Sequence, residues 1–158
     1  VLHLGIKKNK KSSGQTELVV IDFGSMRFEY TDGGRSKYYS GFAEGDCVTR
    51  AFSIGLNKSY LEIYELVNKI SQLERKLPKI KGFKRDYSSA KGGVYPHIIE
   101  KLAKHFNLKK KNRKGKIKDI PNKNCLVITD EHIACIKNGI LLDTHDCSDL
   151  DYKFCYEL

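Results

Sequence analysis

The chain has 158 residues, 40% of them hydrophobic and 30% charged, with a formal net charge of +10. These are the proportions of a soluble globular domain with a core of its own, and no apolar run approaches the ~20 residues that a membrane span needs. The five cysteines are irregularly spaced and include no Cys-x-x-Cys pair, which argues against a disulfide framework and a structural zinc site and for a reducing, cytoplasmic compartment.

No signal peptide is visible, and the chain opens on Val1 rather than Met, as a processed or trimmed product does. Residues 1–16 are polar and Lys-rich and read as a flexible basic arm, leaving 17–158 as a single domain. Glu17–Phe23 is β-branched and apolar. In Met26–Thr31, Met26, Phe28 and Tyr30 alternate with Arg27 and Glu29. The two read as strands of an extra N-terminal hairpin, and Asp32-Gly33-Gly34 ends the second as a turn. An irregular stretch from Arg35 to Glu44 then leads to Gly45-Asp46-Cys47.

Asp46 reads as a helix N-cap whose carboxylate accepts from first-turn N–H groups. Val48, Ala51 and Phe52 recur at helical spacing, so their face is buried, and Gly55 and Asn57 close the helix. The next helix starts at Ser59, with Glu62 completing a capping box. Its stripe is Ile63, Leu66, Val67, Ile70, Leu73 and Leu77, and Pro78 stops it. Lys79–Gly93 is a long basic loop, of the kind that serves as a lid or binding edge. A third helix runs from Val94 or Pro96 to Phe106.

Residues 109–118 carry seven Lys/Arg and no acid. Lys109, Lys110, Lys111, Arg113, Lys114 and Lys116 would suit nucleic acid or another acidic partner, although the block equally suits a solvated loop and lacks interleaved aromatics. The C-terminal third is β. Cys125–Thr129 is a short apolar strand, and His132–Lys137 and Ile140–His145 flank Asn138-Gly139, a strong hairpin signal. Tyr152–Leu158 alternates as a last, half-buried strand. Helices followed by a mostly antiparallel sheet make an α+β domain.

Chemistry concentrates at two places. Cys47 stands at a helix start, where the dipole and free N–H groups favour a thiolate and hold an oxyanion. The two-residue turn sets Lys137 opposite Ile140, hence Ala134 opposite Asp143 and His132 opposite His145, all four on one strand face. His132 and Asp143 are then diagonal neighbours, ~7–8 Å apart at the backbone and closer at the side chains. A carboxylate there orients one ring nitrogen and aims the other at a thiol, and a small Ala134 leaves the space between them open. Asp146 is the alternative acid. A metal site from His132, Cys135, His145 and Cys147 is disfavoured, because Cys135 faces away from His132.

Cysteine at a helix start, then histidine on a strand, then Asp on the next strand resembles the papain-like cysteine peptidases. Gly45-Asp46-Cys47-Val48-Thr49-Arg50-Ala51 and the segment His132–Thr144 are similar to motifs of small bacterial and phage members. The Cys, His, Asp order is that of the bacteriocin-leader-processing peptidases, and Glu44–Ala51 also resembles a run of OTU deubiquitinases. The resemblance rests on these two motifs alone. It implies a papain-like fold with the nucleophile helix first, Cys47 as nucleophile, His132 as base and Asp143 as orienting acid. It further implies hydrolysis of a protein or peptide substrate, or acyl transfer to an amine by the same triad, with no cofactor and no metal. Papain-like enzymes place a Gln shortly before the cysteine as an oxyanion donor. Gly41 stands there instead, so a backbone N–H, Tyr38, Tyr39 or Ser40 has to serve, with Asp46 as a neighbour of the oxyanion. That departure also admits an inactive relative that uses the fold as a basic binding module.

Overall fold

The computed structural model describes residues 4–10, 16–22, 26–41, 45–75 and 88–158. Three helices pack on a six-stranded, mostly antiparallel sheet, an α+β arrangement. The helices are α1 (Cys47–Leu56), α2 (Tyr60–Arg75) and α3 (Pro96–His105). Two short strands open the chain, β1 (Leu4–Lys10) and β2 (Thr16–Asp22), followed by β3 (Arg27–Tyr30). After the helices come β4 (Lys109–Lys111), β5 (Gly115–Lys116), β6 (Cys125–Ile128), β7 (Ile133–Lys137), β8 (Ile140–Asp143), β9 (Asp151–Tyr152) and β10 (Phe154–Glu157). The main sheet has the order β3-β8-β7-β6-β10-β4, while β1 pairs with β2 and β5 with β9 in separate two-stranded sheets. No helix among the described residues is long and apolar enough to cross a membrane.

The central strands β6 and β7 are buried on both faces, so they read as continuous apolar runs. On one face Leu126, Ile128, Ile133, Cys135 and Tyr156 meet Val48, Phe52, Ile63, Ile98 and Leu102 from the helices. On the other, Val127, Ala134, Ile136 and Leu141 meet Ile117, Ile120, Cys147 and Tyr152. Helix α1 lies close to the sheet because Gly55 carries no side chain. A Cβ there would stand 2.9 Å from Leu126 Cδ2, so Gly55 is a buried contact inside the helix and does not end it. Asn57, at φ 52°, is the left-handed residue that ends α1. The Ser59 hydroxyl accepts the Glu62 N–H at 3.1 Å, which caps α2.

The N-terminus differs from its sequence reading. Residues 4–10, expected within a polar arm, pair antiparallel with residues 16–22 in a seven-rung ladder. A two-stranded ribbon is held by backbone hydrogen bonds and needs no apolar stripe, so its pattern is easily taken for an arm. The hairpin expected between 17–23 and 26–31 does not form. Strand β3 instead joins the main sheet parallel to β8, from Arg27 opposite Ile140 to Tyr30 opposite Asp143. The Asn138-Gly139 turn does set the expected register, with both residues at positive φ and Lys137 opposite Ile140. Part of the basic block is sheet edge and not loop, since β4 pairs with β10. Of the loop expected at Lys79–Gly93, residues 79–87 lie outside the described residues, as do Leu77 and Pro78.

Candidate active site

Cys47 is the first residue of α1 and, of five free cysteines, the one that is not buried. The chain approaches it through Gly45, whose φ of 88° is left-handed and whose missing Cβ leaves room for the Gly92 carbonyl. His132 lies just before β7 and Asp143 ends β8. Antiparallel pairing brings them to the same end of the sheet, beside the start of α1. Thr129 fixes the backbone of His132: its hydroxyl accepts the His132 N–H at 3.0 Å, and its own N–H donates to the His132 carbonyl at 2.9 Å.

The side chains meet as the register implies. His132 Nε2 donates to Asp143 Oδ2 at 2.5 Å. The thiols of Cys147 and Cys47 lie near enough to the His132 ring to raise its pKa. With Nε2 engaged by the carboxylate, Nδ1 is the ring nitrogen left for the nucleophile side. The His145 ring stands opposite, 4.8 Å from that of His132 between centroids. Burial opposes a charged imidazole, but hydrogen bonds with Asp143, Cys147 and Cys47 and the carboxylate charge outweigh it, and the His132 pKa is pushed up to about 11. For Asp143, burial favours the neutral acid. The bond from His132, its charge, the Thr144 N–H and the Arg50 guanidinium prevail and hold the carboxyl below its usual range.

Beneath this pair lies a buried ionic network. Arg50, one helical turn after Cys47, pairs with Asp143 Oδ1 through Nη2 at 3.4 Å and with Asp46 through Nη1. Asp46 is fully buried and also accepts from the Tyr60 hydroxyl at 2.7 Å, with Arg35 Nε 3.6 Å away. Asp46 therefore occupies the N-cap position without capping. Its carboxylate turns inward to the two guanidinium groups, leaving the first-turn N–H groups of α1 uncapped by it. Asp46 thereby anchors Arg50, Arg35 and the Tyr60 hydroxyl. Ser40 is exposed. It lines a cavity of about 290 Å³ with Arg35, Tyr38, Tyr39, Tyr60 and Lys91, outside the group that meets at His132.

The sequence alone does not single out Arg50, Arg35, Tyr60, Thr129 or Cys147 as supports of a triad. A signal for Arg50 exists: it falls among Val48, Ala51 and Phe52 on the inward face of α1, where an arginine needs an anion. Cys135 lies on the helix-facing side of the sheet, away from His132, as its parity implies. Ala134 faces neither a cleft nor solvent. At 2% exposure it belongs to the second core, because loop residues Ile117, Ile120 and Cys147 cover that face.

The basic residues are elsewhere. Lys109, Lys110 and Lys111 form the edge strand, where Lys110 stands 4.0 Å over the Phe154 ring and Lys111 lies 3.7 Å from Glu157. Lys116 pairs with Asp151 at 3.2 Å and Lys118 with Asp149 at 3.0 Å. Arg113 lines a second cavity, of about 490 Å³, with Lys111, Tyr152 and Cys155, and Lys114 is exposed between β4 and β5.

No protein-family model, curated protein or solved structure matches this chain.

Proposed function

We propose that the protein is a thiol acyl-hydrolase, a papain-like cysteine peptidase acting on a peptide or protein substrate. One observation carries the reading: a single imidazole, His132, is held by a buried carboxylate at 2.5 Å through Nε2, beside the start of α1, where Cys47 is the one cysteine that is not buried and raises the pKa of that same ring. Charge balance supports it. Arg35 and Arg50 are matched by Asp46 and Asp143, so a protonated His132 leaves one positive charge, and a Cys47 thiolate is the anion that completes the set.

In this scheme the Cys47 sulfur attacks the substrate carbonyl carbon, forming a C–S bond as the π electrons move to oxygen. Uncapped N–H groups at the start of α1 donate to that oxyanion. Collapse breaks the C–N bond, and the His132 imidazolium gives its proton to the departing amine. A water then loses a proton to His132 and attacks the thioester, releasing the acid and restoring the thiol pair. Asp143, fixed by Arg50 and Thr144, keeps the ring in one orientation throughout.

Alkylation with iodoacetamide tests this. Exposure alone favours Cys47 over the four buried thiols, so the deciding variable is the imidazole. His132→Ala is expected to slow Cys47 alkylation near neutral pH by ~10²-fold, the scale of a lost general base. It should also abolish turnover of any peptide that the parent cleaves, as should Cys47→Ala. Equal alkylation rates in parent and His132→Ala, with both folded, would overturn the reading.

A further inference from the structure

Cys147 stands beside His132 and Asp143 with no part in the acyl-transfer scheme. It is 3% exposed, and its thiol donates to Asp143 Oδ2 at 3.9 Å, the same oxygen that accepts from His132 Nε2. The three donor atoms, His132 nitrogen, Asp143 oxygen and Cys147 sulfur, lie within 4.8 Å of one another. The other carboxylate oxygen is already taken, by Arg50 and by the Thr144 N–H at 2.7 Å, so Oδ2 is the free ligand atom and its orientation is fixed from behind.

We infer that His132, Asp143 and Cys147 form a zinc site that, when filled, switches off the thiol chemistry of Cys47. The donor set selects the metal. One thiolate, one imidazole and one carboxylate suit a borderline cation such as Zn²⁺, whereas Mg²⁺ and Ca²⁺ require oxygen cages. Two of the three ligand pairs lie near what zinc demands, and the third, nitrogen to sulfur, closes from as much as 4.8 Å. Zinc bond lengths imply tetrahedral edges of about 3.3 Å between N and O and about 3.5 Å between S and O. The first pair opens from its hydrogen-bonded 2.5 Å and the second closes slightly from 3.9 Å. A water fills the fourth position.

Binding is an exchange of protons for metal. Zinc takes the place of any proton carried by the Cys147 sulfur and by the His132 ligand nitrogen. In the filled site Nε2 and Oδ2 bind the cation and no longer each other, so Cys47 loses its base. The metal site does not depend on the peptidase reading, because metal binding is measured apart from turnover, whereas the switching-off of Cys47 rests on that reading.

The test uses the reduced, chelator-stripped full chain, titrated with Zn²⁺ and, in parallel, with Co²⁺ as an absorbing substitute. One zinc per chain is expected, with release of protons and a cobalt spectrum that contains a thiolate charge-transfer band and tetrahedral intensity. Cys147→Ser should weaken zinc binding by ~10²-fold or more and remove the thiolate band. His145→Ala, whose ring is 4.8 Å from His132 but outside the ligand set, should leave binding within about twofold. Should Cys147→Ser fail to fold, the ring ¹⁵N resonances of His132 in the parent decide the same question, since zinc must shift the Nε2 signal. Absence of stoichiometric zinc, a cobalt spectrum without the thiolate band, or an unmoved His132 ring overturns the site. Zinc binding beside an inert Cys47 would leave the metal site standing and remove both the peptidase and the switch, and a reactive Cys47 without zinc binding would do the reverse.

Discussion

Two groups of charges in this molecule have opposite physics. Around Cys47, Arg35, Arg50, Asp46, Asp143 and His132 are interlocked with almost no exposure. At the far edge of the sheet and in the segment that follows it, Lys109–Lys118 carries more charge, but in exposed pairs such as Lys116–Asp151 and Lys118–Asp149. Exposed pairs are screened and contribute little, whereas a buried guanidinium without its anion is strongly unfavourable. The basic block dominates the composition, yet the few buried charges decide where a base and a nucleophile meet.

Removing Arg50 should have the largest effect. Arg50→Ala leaves Asp46 with Tyr60 and Arg35 and Asp143 with His132, but removes the buried cation that both carboxylates share, a loss of ~3–5 kcal/mol for breaking a buried pair. Urea denaturation measures it, and a loss under ~1 kcal/mol would mean that water reaches this network. Ala134→Leu comes next. Because Ala134 sits opposite Val127 in a closed core, added volume should cost ~1–3 kcal/mol and also displace the His132–Asp143 contact. An unchanged melting point would show that the face opens.

The imidazole–carboxylate pair should make stability depend on pH, and the sign follows from each shift. Asp143 is held below its usual range, so its contribution is present above the unfolded value of ~3.9 and disappears as pH falls through the folded value. His132 is raised to about 11, so its contribution is complete below the unfolded value of ~6.5 and fades as pH rises toward 11. These are two ends of one ion pair, counted once, in a setting that includes Arg50, Cys47 and Cys147. Asp143→Asn should flatten both limbs of the metal-free profile, and identical profiles for parent and variant would dissolve the pair.

The parts of this arrangement that are legible in the sequence are local. Asn138-Gly139 fixes a register by its own backbone preference, and that register carries His132, Asp143 and His145 to one end of the hairpin. A cysteine before a helical apolar stripe marks a helix start in the same way. The network beneath is illegible because its partners are remote: Arg50 and Asp143 are 93 residues apart, and nothing near either names the other. Proximity in sequence misleads at β3, where adjacent strands suggest a hairpin, while pairing with β8 continues the main sheet. The small size of Ala134 suggests a spacer in an open site, yet residues from other segments, Ile117, Ile120 and Cys147, decide whether a small side chain lines a cleft or a core.

The smallest effect is expected at the lysine edge, and it sharpens the comparison most directly. Strand β4 presents three successive lysines along the outer edge of the six-stranded sheet. Charged edges of this kind oppose pairing with another chain. Lys110 and Lys111 reach Phe154 and Glu157, but both lysines are exposed, so each contact is individually weak. Changing Lys109, Lys110 and Lys111 to Gln should therefore shift stability by no more than ~0.5 kcal/mol, as surface changes do. Cys47 alkylation should be unaffected, since the edge lies at the opposite side of the sheet from β8. Any binding to an acidic polymer, by contrast, should weaken and lose salt dependence in proportion to the charges removed. Equilibrium sedimentation should also reveal more self-association, because an uncharged edge no longer resists a partner strand. A stability loss of several kcal/mol, or a slowed thiol, would place this edge in the same energetic class as the buried cluster and erase the contrast.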